Sequence, residues 1–294
     1  MLSTTLRRKA RQFAKLARYS ALTPRTGHTR PPVLVRNGEL ALTFIGHSSF
    51  FVQIGGKNIL IDPNFARWIF VLKRLRQPGL SLHELPPIDA VLVSHAHFDH
   101  LHRASLRSIA RLTRIKAGKR PMIVVPRHVR DLVSDLGYAR VVEMDWWQSL
   151  EIGSVEVTQT PAKHWGARVI GDMHRGYGGY VLRGERHSLY HSGDTAYFKG
   201  FHEIGQRLKP EIALLPIGAY HPASYRNVHT TPEDALQAFL DLRAHWMIPM
   251  HYGSFKLGHE PIEEPLPRLL EDAKRRGVEK HVCVMEEGVT KMWE

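Results

Sequence analysis

The stretch 94–100, SHAHFDH, places three histidines and one aspartate within six residues. It leaves an apolar run that begins at residue 88 and is typical of a strand buried on both faces. Side chains two residues apart in an extended chain share a face, so His95 and His97 can converge on one metal ion. Asp99 and His100 then point to a second centre nearby. Because carboxylates and neutral imidazoles are metal ligands, the stretch predicts a metal site.

Three further candidate ligands, His164, Asp194 and His251, each follow a predicted strand directly. An aspartate has two oxygens and can bridge two metal ions, which makes Asp194 the candidate for a shared ligand. His191 is a rival ligand, but the neighbouring Gly193 indicates a tight turn that presents Asp194 instead. The common position at strand ends joins these residues to the 94–100 stretch in one predicted site.

The composition is that of an ordinary globular protein. Of 294 residues, 43% are hydrophobic and 23% are charged, which argues against a mostly disordered chain. The single cysteine, Cys283, excludes an intrachain disulfide and a cysteine-rich zinc finger, and it favours a reducing compartment. No apolar run approaches the length of about 18 residues that a transmembrane helix needs.

The positive charge is concentrated at the N-terminus. The formal net charge is +13, yet residues 1–38 carry nine Lys or Arg and no acid. The rest of the chain has 32 basic and 28 acidic residues, a net charge of +4. The body is therefore only mildly basic, and nucleic-acid binding is the less favoured interpretation.

Residues 1–38 are predicted to be a basic arm and linker ahead of a folded domain, residues 39–294. The apolar side chains of the arm recur at helical spacing: Leu2, Leu6, Ala10, Phe13 and Ala17. A basic amphipathic helix suits an anionic membrane surface, while a solvated arm or an organelle transit peptide has similar features. Because there is no apolar core of a secretory signal, we expect a cytoplasmic protein that is peripheral on the inner face of a membrane.

Short strands dominate the body and predict an α/β (α+β) fold. The expected strands lie at 40–45, 50–54, 57–62, 88–94, 122–125, 178–183, 187–192, 211–217 and 246–250, with two or three more within 141–160 and two at the C-terminus. The expected helices lie within 102–115 and at 127–136, 232–242 and 265–276, the third with a Thr cap followed by Pro. This order predicts two mixed sheets packed face to face with helices outside.

Residues 63–87 form a long insertion that contains Phe65, Trp68, Ile69 and Phe70, followed by Lys73, Arg74 and Arg76. An aromatic and basic segment of this kind either faces a lipid headgroup layer or closes over the apolar core.

The ordered set of candidate ligands resembles the metallo-β-lactamase fold, whose two-metal members carry H-x-H-x-D-H followed by a histidine, a bridging aspartate and a last histidine. The resemblance covers residues 40–255 and implies an αββα sandwich with the site at one edge of both sheets. It implies these ligand sets: His95, His97 and His164 for one ion, Asp99, His100 and His251 for the other, and Asp194 for both. Two Zn²⁺ ions are expected, and Mn²⁺ or Fe²⁺ is compatible with nitrogen and oxygen donors.

A narrower resemblance is to the N-acyl-phosphatidylethanolamine-hydrolysing phospholipase D family. The segments that carry it are LPPIDAVL at 85–92, DWW at 145–147, PAKHW at 161–165, PIGAY at 216–220 and HTTPED at 229–234. The family implies a two-zinc phosphodiesterase that frees an N-acylethanolamine from a membrane phospholipid and leaves phosphatidic acid. His229 matches a family histidine beside the metals, so His229 and Asp99 are the catalytic candidates. His102, where relatives commonly carry aspartate, and the segment 172–174 depart from the family pattern.

The implied mechanism uses a hydroxide that bridges two cations about 3.5–4 Å apart, with His229 as the acid for the leaving oxygen. The expected partners are a phospholipid or another phosphodiester and an anionic membrane surface. Three alternatives remain: a sugar-phosphate lactonase of the same fold, a metal-dependent nuclease, and a membrane-associated binding protein with a retired site.

Overall fold

The computed structural model describes residues 4–35, 39–169 and 171–293, with the backbone alone for residues 4–10. An antiparallel meander of β1 (Leu40–Gly46), β2 (Ser49–Ile54) and β3 (Lys57–Ile61) begins the first sheet. The paired glycines at 55 and 56 have φ of 54° and 68°, as a tight hairpin turn requires. The predicted meander is therefore confirmed.

The first sheet has seven strands in the order β15-β1-β2-β3-β6-β7-β8. Its remaining members are β6 (Ala90–Leu92), β7 (Met122–Pro126), β8 (Arg140–Met144) and β15 (Thr290–Trp293). Strands β3, β6, β7 and β8 are parallel to one another, so their carboxyl ends share one edge of the sheet. The stretch 94–100 begins at that edge.

The second sheet has six strands in the order β14-β13-β12-β11-β10-β9. Its members are β9 (Ser149–Ile152), β10 (Val155–Thr160), β11 (Gly179–Arg183), β12 (Ser188–His191), β13 (Ile212–Pro216) and β14 (Trp246–Met250). Strands β12, β13 and β14 are parallel, and β10 runs in the same direction because two antiparallel pairings separate it from β12.

Three apolar layers hold the sandwich together. The central layer lies between the sheets and combines Phe50 and Leu92 of the first with Tyr180 and Leu214 of the second. The first outer layer packs α2 (Arg103–Ala117) on the first sheet. The second packs α3 (Gly200–Leu208), α4 (Pro232–Leu242) and α5 (Pro265–Arg275) on the other. The predicted αββα arrangement is thus confirmed.

The start of α4 follows the predicted signal. The Thr231 hydroxyl accepts the backbone N–H of Asp234 at 3.1 Å, and the Asp234 carboxylate accepts the backbone N–H of Thr231 at 3.3 Å. Pro232 occupies the first turn, where no helical partner for its missing N–H is needed. This reciprocal capping satisfies the helix start without help from the preceding residues.

The structure differs from the predicted secondary structure at three places. The expected helix 127–136 is only a short 3-10 turn, Arg130–Leu132, because His128 has a φ of 62° and Glu143 accepts the N–H groups of Val129 and Arg130. The helix α3 was not predicted, since its two glycines lower the helical propensity. At the C-terminus, β15 is one strand and Val282 makes only an isolated bridge to Met247.

The N-terminal arm packs on the 63–87 insertion. Its helix α1 (Thr4–Leu22) lies beside β5 (Leu72–Lys73), which pairs with β4 (Trp68–Ile69) in a small hairpin. Farther along, Thr26 and Arg30 form parallel bridges to Arg76 and Leu80. Leu2 of the predicted helix lies outside the described residues. Within the ranges described, no helix is both long and apolar enough to span a bilayer.

Candidate metal centre

The predicted ligands converge at one edge of the sandwich. The 94–100 stretch follows β6 of the first sheet, while His164, Asp194 and His251 follow β10, β12 and β14 of the second. These strands deliver their carboxyl ends to the same side of the molecule, as sheets of parallel strands require. The fold therefore brings together side chains that are far apart in the sequence.

His95, His97 and His164, here called the histidine group, face Asp194. The Nδ1 atom of His97 lies 2.8 Å from Nε2 of His95 and 3.2 Å from Nε2 of His164. The Oδ2 atom of Asp194 lies 3.9 Å from Nε2 of both His95 and His164. One ligand atom from each of the four residues falls within 4.8 Å of the others, which is close enough for one cation.

Asp99, His100 and His251, here called the aspartate group, face the same Asp194 carboxylate. Its Oδ2 atom lies 3.0 Å from Nε2 of His251 and 3.3 Å from Nε2 of His100. Oδ2 of Asp99 lies 3.5 and 3.6 Å from the same two nitrogens. Asp194 therefore stands between the two groups, in the position that a shared ligand must take.

The donor set fits metal ions. Oδ1 of Asp194 is buried and has no hydrogen-bond partner among the described residues, and the buried Nε2 atoms of His100 and His251 lie 3.0–3.6 Å from carboxylate oxygens without hydrogen-bond geometry. Buried polar atoms without partners are rare because each costs free energy, so their clustering here indicates cations as the missing partners. Imidazole nitrogen and carboxylate oxygen suit Zn²⁺, Mn²⁺ and Fe²⁺. The two His/Asp clusters are thus able to bind metal.

The two groups differ in their charge. Burial lowers the pKa of His97 and lowers the pKa of His95 and His164 well below the usual value. Burial also opposes charge on His251, but Asp194 and Asp99 outweigh it and raise the pKa of His251 to about 9. The histidine group is therefore neutral and ready for metal, whereas a metal ion must displace protons from the aspartate group.

His100 and Asp194 follow the same pattern within the aspartate group. Carboxylates outweigh the effect of burial and raise the pKa of His100 well above its usual value. Burial opposes charge on the Asp194 carboxyl, but His100 and His251 hold the pKa of Asp194 well below its usual range. This side of the site is a buried network of opposite charges.

Asp62 supports His100 from behind, a role that was not predicted. Its Oδ2 atom lies 2.7 Å from Nδ1 of His100 and accepts the Ser94 hydroxyl at 2.6 Å, and Oδ1 accepts the Ser94 backbone N–H at 2.7 Å. A carboxylate at Nδ1 turns Nε2 of the imidazole toward the metal. The available signal was an aspartate between the end of an apolar strand and Pro63.

Backbone and imidazole contacts orient two further ligands. Nδ1 of His164 donates to the carbonyl of Val228 at 2.8 Å, which leaves Nε2 for the site. Nε2 of His47 lies 2.9 Å from Oδ2 of Asp99. His47 and His251 have φ of 62° and 60°, and strained backbone of this kind is concentrated at functional sites.

The rival ligand and the departures from the family pattern have other roles. Nε2 of His191 lies 2.9 Å from the Ser48 carbonyl and its Nδ1 accepts the Gly193 N–H at 3.1 Å, so both ring nitrogens are engaged. His102 caps α2, since its Nδ1 accepts the Ser105 N–H at 3.2 Å, a role that aspartate also fills. The carboxylate of Asp172 accepts Nε of Arg175 at 2.7 Å.

His229 lies beside the metal ligands without being needed for the helix that follows. Its buried Nδ1 is 3.9 Å from Oδ2 of Asp194 and has no hydrogen-bond partner in the described part of the chain. The helix start is satisfied by Thr231 and Asp234 instead. Burial lowers the pKa of His229 to about 4, so its imidazole is neutral at pH 7. The ring can therefore donate a hydrogen bond or accept a proton.

Phe98 anchors two loops at the rim of the site. Its ring lies 4.1 Å from that of Phe70 at the tip of the β4–β5 hairpin. The guanidinium of Arg168 lies 3.8 Å from the Phe98 ring and donates from Nη1 to the carbonyls of Ala96 and Leu101 at 2.7 and 2.9 Å. Arg168 thus fixes the backbone of the 94–100 stretch, a role with no signal in the sequence.

A family model described as a beta-lactamase superfamily domain matches residues 57–252. Because that match covers more than half of the chain, the protein belongs to the metallo-β-lactamase superfamily. The family match and the relatives described below identify it as a metal-dependent hydrolase.

Two curated relatives are more specific. The N-acyl-phosphatidylethanolamine-hydrolyzing phospholipase D 1 of Caenorhabditis elegans is 30% identical over 276 residues, 87% of this chain and 76% of that protein. A UPF0173 metal-dependent hydrolase of Methanopyrus kandleri is 31% identical over 255 residues, 85% of this chain and 98% of that protein. A solved metallo hydrolase of Ignicoccus hospitalis has a TM-score of 0.67 at 24% identity and covers 87% of this chain and 99% of that chain, which supports the fold. The predicted family resemblance is confirmed.

Proposed function

We propose that the protein is a two-metal phosphodiesterase of the phospholipase D type that cleaves N-acyl-phosphatidylethanolamine or a similar phospholipid. The observation that carries the proposal is Asp194, whose Oδ2 lies 3.0–3.9 Å from nitrogens of both ligand groups. A shared carboxylate is able to hold a pair of closely spaced cations. The relative in Caenorhabditis elegans supports the choice of a phospholipid as substrate.

The proposed reaction breaks one P–O bond. Water attacks phosphorus opposite the oxygen of the N-acylethanolamine, which leaves with a proton, and phosphatidic acid remains. A bound pair of divalent cations supplies a water of lowered pKa and neutralises charge on the phosphate oxygens. Zinc is the proposed metal, because nitrogen ligands predominate in the site.

The protein's own groups position the reactants and handle protons. The Asp99 carboxylate, which is fixed by Nε2 of His47 at 2.9 Å, is placed to orient the attacking water. His229 supplies the N–H that faces the leaving oxygen. Because its pKa of about 4 leaves the ring neutral at pH 7, His229 takes up the proton released by the attacking water and gives a proton to the leaving oxygen, so that the ring is neutral before and after the reaction.

The test is product identification by mass spectrometry. Zinc-loaded protein is incubated with vesicles that contain N-acyl-phosphatidylethanolamine, beside Asp194→Asn and the matched variant Asp89→Asn, whose carboxylate accepts the Asn58 N–H away from the site. We expect phosphatidic acid and N-acylethanolamine from the wild type and from Asp89→Asn, and neither from Asp194→Asn. No product from a protein with both metals bound would contradict the proposal, and hydrolysis of a sugar-phosphate lactone would then favour the lactonase.

A further inference from the structure

The β4–β5 hairpin carries exposed apolar side chains at its tip. Trp68, Phe70 and Val71 are 42%, 67% and 48% exposed, while Ile69 and Leu72 beneath them are buried. Phe70 has a φ of 53°, a backbone conformation that turns usually give to glycine or asparagine. Turn geometry does not favour Phe70, and the three side chains stay exposed even though the Phe70 ring contacts Phe98, so the tip is a candidate for contact with an apolar partner.

The tip is fixed at the rim of the metal centre. Phe70 contacts Phe98, the residue between His97 and Asp99, at a ring distance of 4.1 Å. Arg168 lies against the same Phe98 ring at 3.8 Å. A partner that contacts the hairpin tip therefore lies beside the 94–100 stretch.

The helix α1 is held against the base of the same hairpin. The Ser20 hydroxyl accepts the backbone N–H of Lys73 at 3.2 Å, and the Lys73 amine donates to the carbonyls of Ala21 and Thr23 at 2.9 and 2.5 Å. Leu16 of the same helix is buried. These bonds make the helix part of the hairpin face of the molecule.

The outer face of α1 is basic. Arg11, Lys15 and Arg18 are exposed, and no carboxylate in the described part of the chain lies within ion-pair distance of them. The helix contains no acidic residue. Together with the apolar tip, this face has the pattern of an amphipathic element that lies on an anionic membrane.

We propose that Trp68, Phe70, Val71, Arg11, Lys15 and Arg18 form a docking surface for an anionic lipid bilayer. The apolar tip enters the boundary between headgroups and acyl chains, and the basic helix face contacts anionic headgroups. The docked protein presents the rim of its metal centre to the headgroup layer. Nucleic acid is the less suitable partner, because a phosphate backbone offers no apolar phase for the hairpin tip.

The proposal deepens the proposed function and rests on it for the role of the bilayer as the source of substrate. The two fail separately, because vesicle binding is measured without turnover. A protein that binds vesicles but releases no phosphatidic acid would contradict the proposed function and retain the docking surface.

The first test compares Val71→Asp with Ile115→Asp in the full chain. Ile115 is an aliphatic residue on α2 that is 62% exposed and lies outside the docking surface. In sedimentation with vesicles of phosphatidylcholine and phosphatidylglycerol, we expect Val71→Asp to bind roughly tenfold or more weakly, because a charge replaces an apolar side chain that docking would bury in the bilayer. Ile115→Asp should bind like the wild type. Equal binding by both variants and the wild type would overturn the proposal.

Two further measurements keep the test independent of folding defects. If Val71→Asp melts below the wild type, Val71→Ser replaces it with the same expected direction. Brominated lipids should quench the fluorescence of the wild type and quench Trp68→Phe less, since Trp68 is the tryptophan at the tip. Equal quenching of both proteins would place the contact elsewhere and overturn the role of the hairpin.

The second test removes the charges of α1. Because each basic residue near an anionic surface strengthens binding about fivefold, we expect Arg11→Gln, Lys15→Gln and Arg18→Gln together to weaken it roughly a hundredfold at low salt. Vesicles of phosphatidylcholine alone should show little difference between this variant and the wild type. Wild-type binding to an RNA oligonucleotide with no binding to vesicles would overturn the proposal in favour of a nucleic-acid partner.

Discussion

The histidine group and the aspartate group both contain buried histidines, but the pKa values of these histidines are shifted in opposite directions. Burial keeps the imidazoles of His95 and His164 neutral, and Nδ1 of His164 is tied to a backbone carbonyl. In the aspartate group, carboxylates raise the pKa of His100 and His251, and Asp62 supports His100 from behind. One half of the site is therefore prepared for a cation by desolvation, and the other by a network of charges.

The difference indicates that the two halves should not respond alike to substitution or pH. A desolvated, neutral group binds a cation without first releasing protons, while a charged network must exchange protons for the metal. The network also depends on residues behind it that contact no metal. Asp194 faces both groups, whereas His229 belongs to neither. Substitution of Asp194 should therefore affect both metal ions, and substitution of His229 should affect neither.

Asp194→Asn should have the largest effect, because it removes the one carboxylate that reaches both groups. Loss of a supporting residue already costs about 10–100-fold in metal affinity, and loss of a shared ligand should exceed that at both centres. We expect less than one metal ion per chain by elemental analysis and no measurable hydrolysis. Full metal content with retained activity would refute the bridging role.

His229→Ala should separate chemistry from metal binding. The variant loses the imidazole that faces the leaving oxygen but none of the six ligands in the two groups, so we expect two metal ions to remain bound. Proton transfer by a positioned side chain contributes about 100–10,000-fold, and kcat should fall by that factor. An unchanged kcat would remove His229 from the reaction, and lost metal would place it among the ligands.

Asp62→Asn should weaken the aspartate group more than the histidine group. The substitution disturbs the contact at 2.7 Å that orients His100, and such losses cost about 10–100-fold in metal affinity. We expect one of the two metal ions to dissociate at a lower chelator concentration than the other. Asp89→Asn is the matched control, because its carboxylate supports the backbone of Asn58 away from the site. If Asp62→Asn lowered the affinity for both metal ions equally, Asp62 would support both groups and not the aspartate group alone.

The convergence of the candidate ligands was predictable because they follow strands, and strand ends can be recognised from the local sequence. The supporting residues were not, because their partners are distant in sequence. His47 and Asp99 are 52 residues apart, and Asp62 and Ser94 are 32 residues apart. Only the register of β3 beside β6 brings the second pair together. Their roles depend on a sheet pairing that no local pattern specifies.

The helices show the same difference: some are determined by the local sequence and others by contacts with residues that are distant in the sequence. Helix α4 begins at the capping residue that the local sequence predicts, Thr231. The predicted helix 127–136 fails because the Glu143 carboxylate, from β8, accepts N–H groups that a helix would use. Helix α3 contains Gly205, where a Cβ would lie 2.6 Å from the Leu242 carbonyl, so packing required a residue that disfavours helix.

The smallest expected effect is on the stability of the metal-free protein, and it tests the charge difference directly. The folded-state pKa of His251 is raised from 6.5 to about 9, so its contribution to stability is present below pH 6.5 and is lost as the pH rises to about 9. The pKa values of His95 and His164 are lowered, so their ionisation costs no stability at neutral pH and reduces the stability of the folded state as the pH falls below 6.5. The aspartate group thus limits stability at alkaline pH, and the histidine group limits it at acidic pH. We expect the melting temperature of chelated protein to fall by roughly a few degrees between pH 6.5 and 9, and this alkaline fall to be smaller in His251→Gln. If the melting temperature of His251→Gln fell as much between pH 6.5 and 9 as that of the wild type, the His251 imidazole would not be charged in the metal-free protein. The contrast between the two halves would then rest on geometry alone.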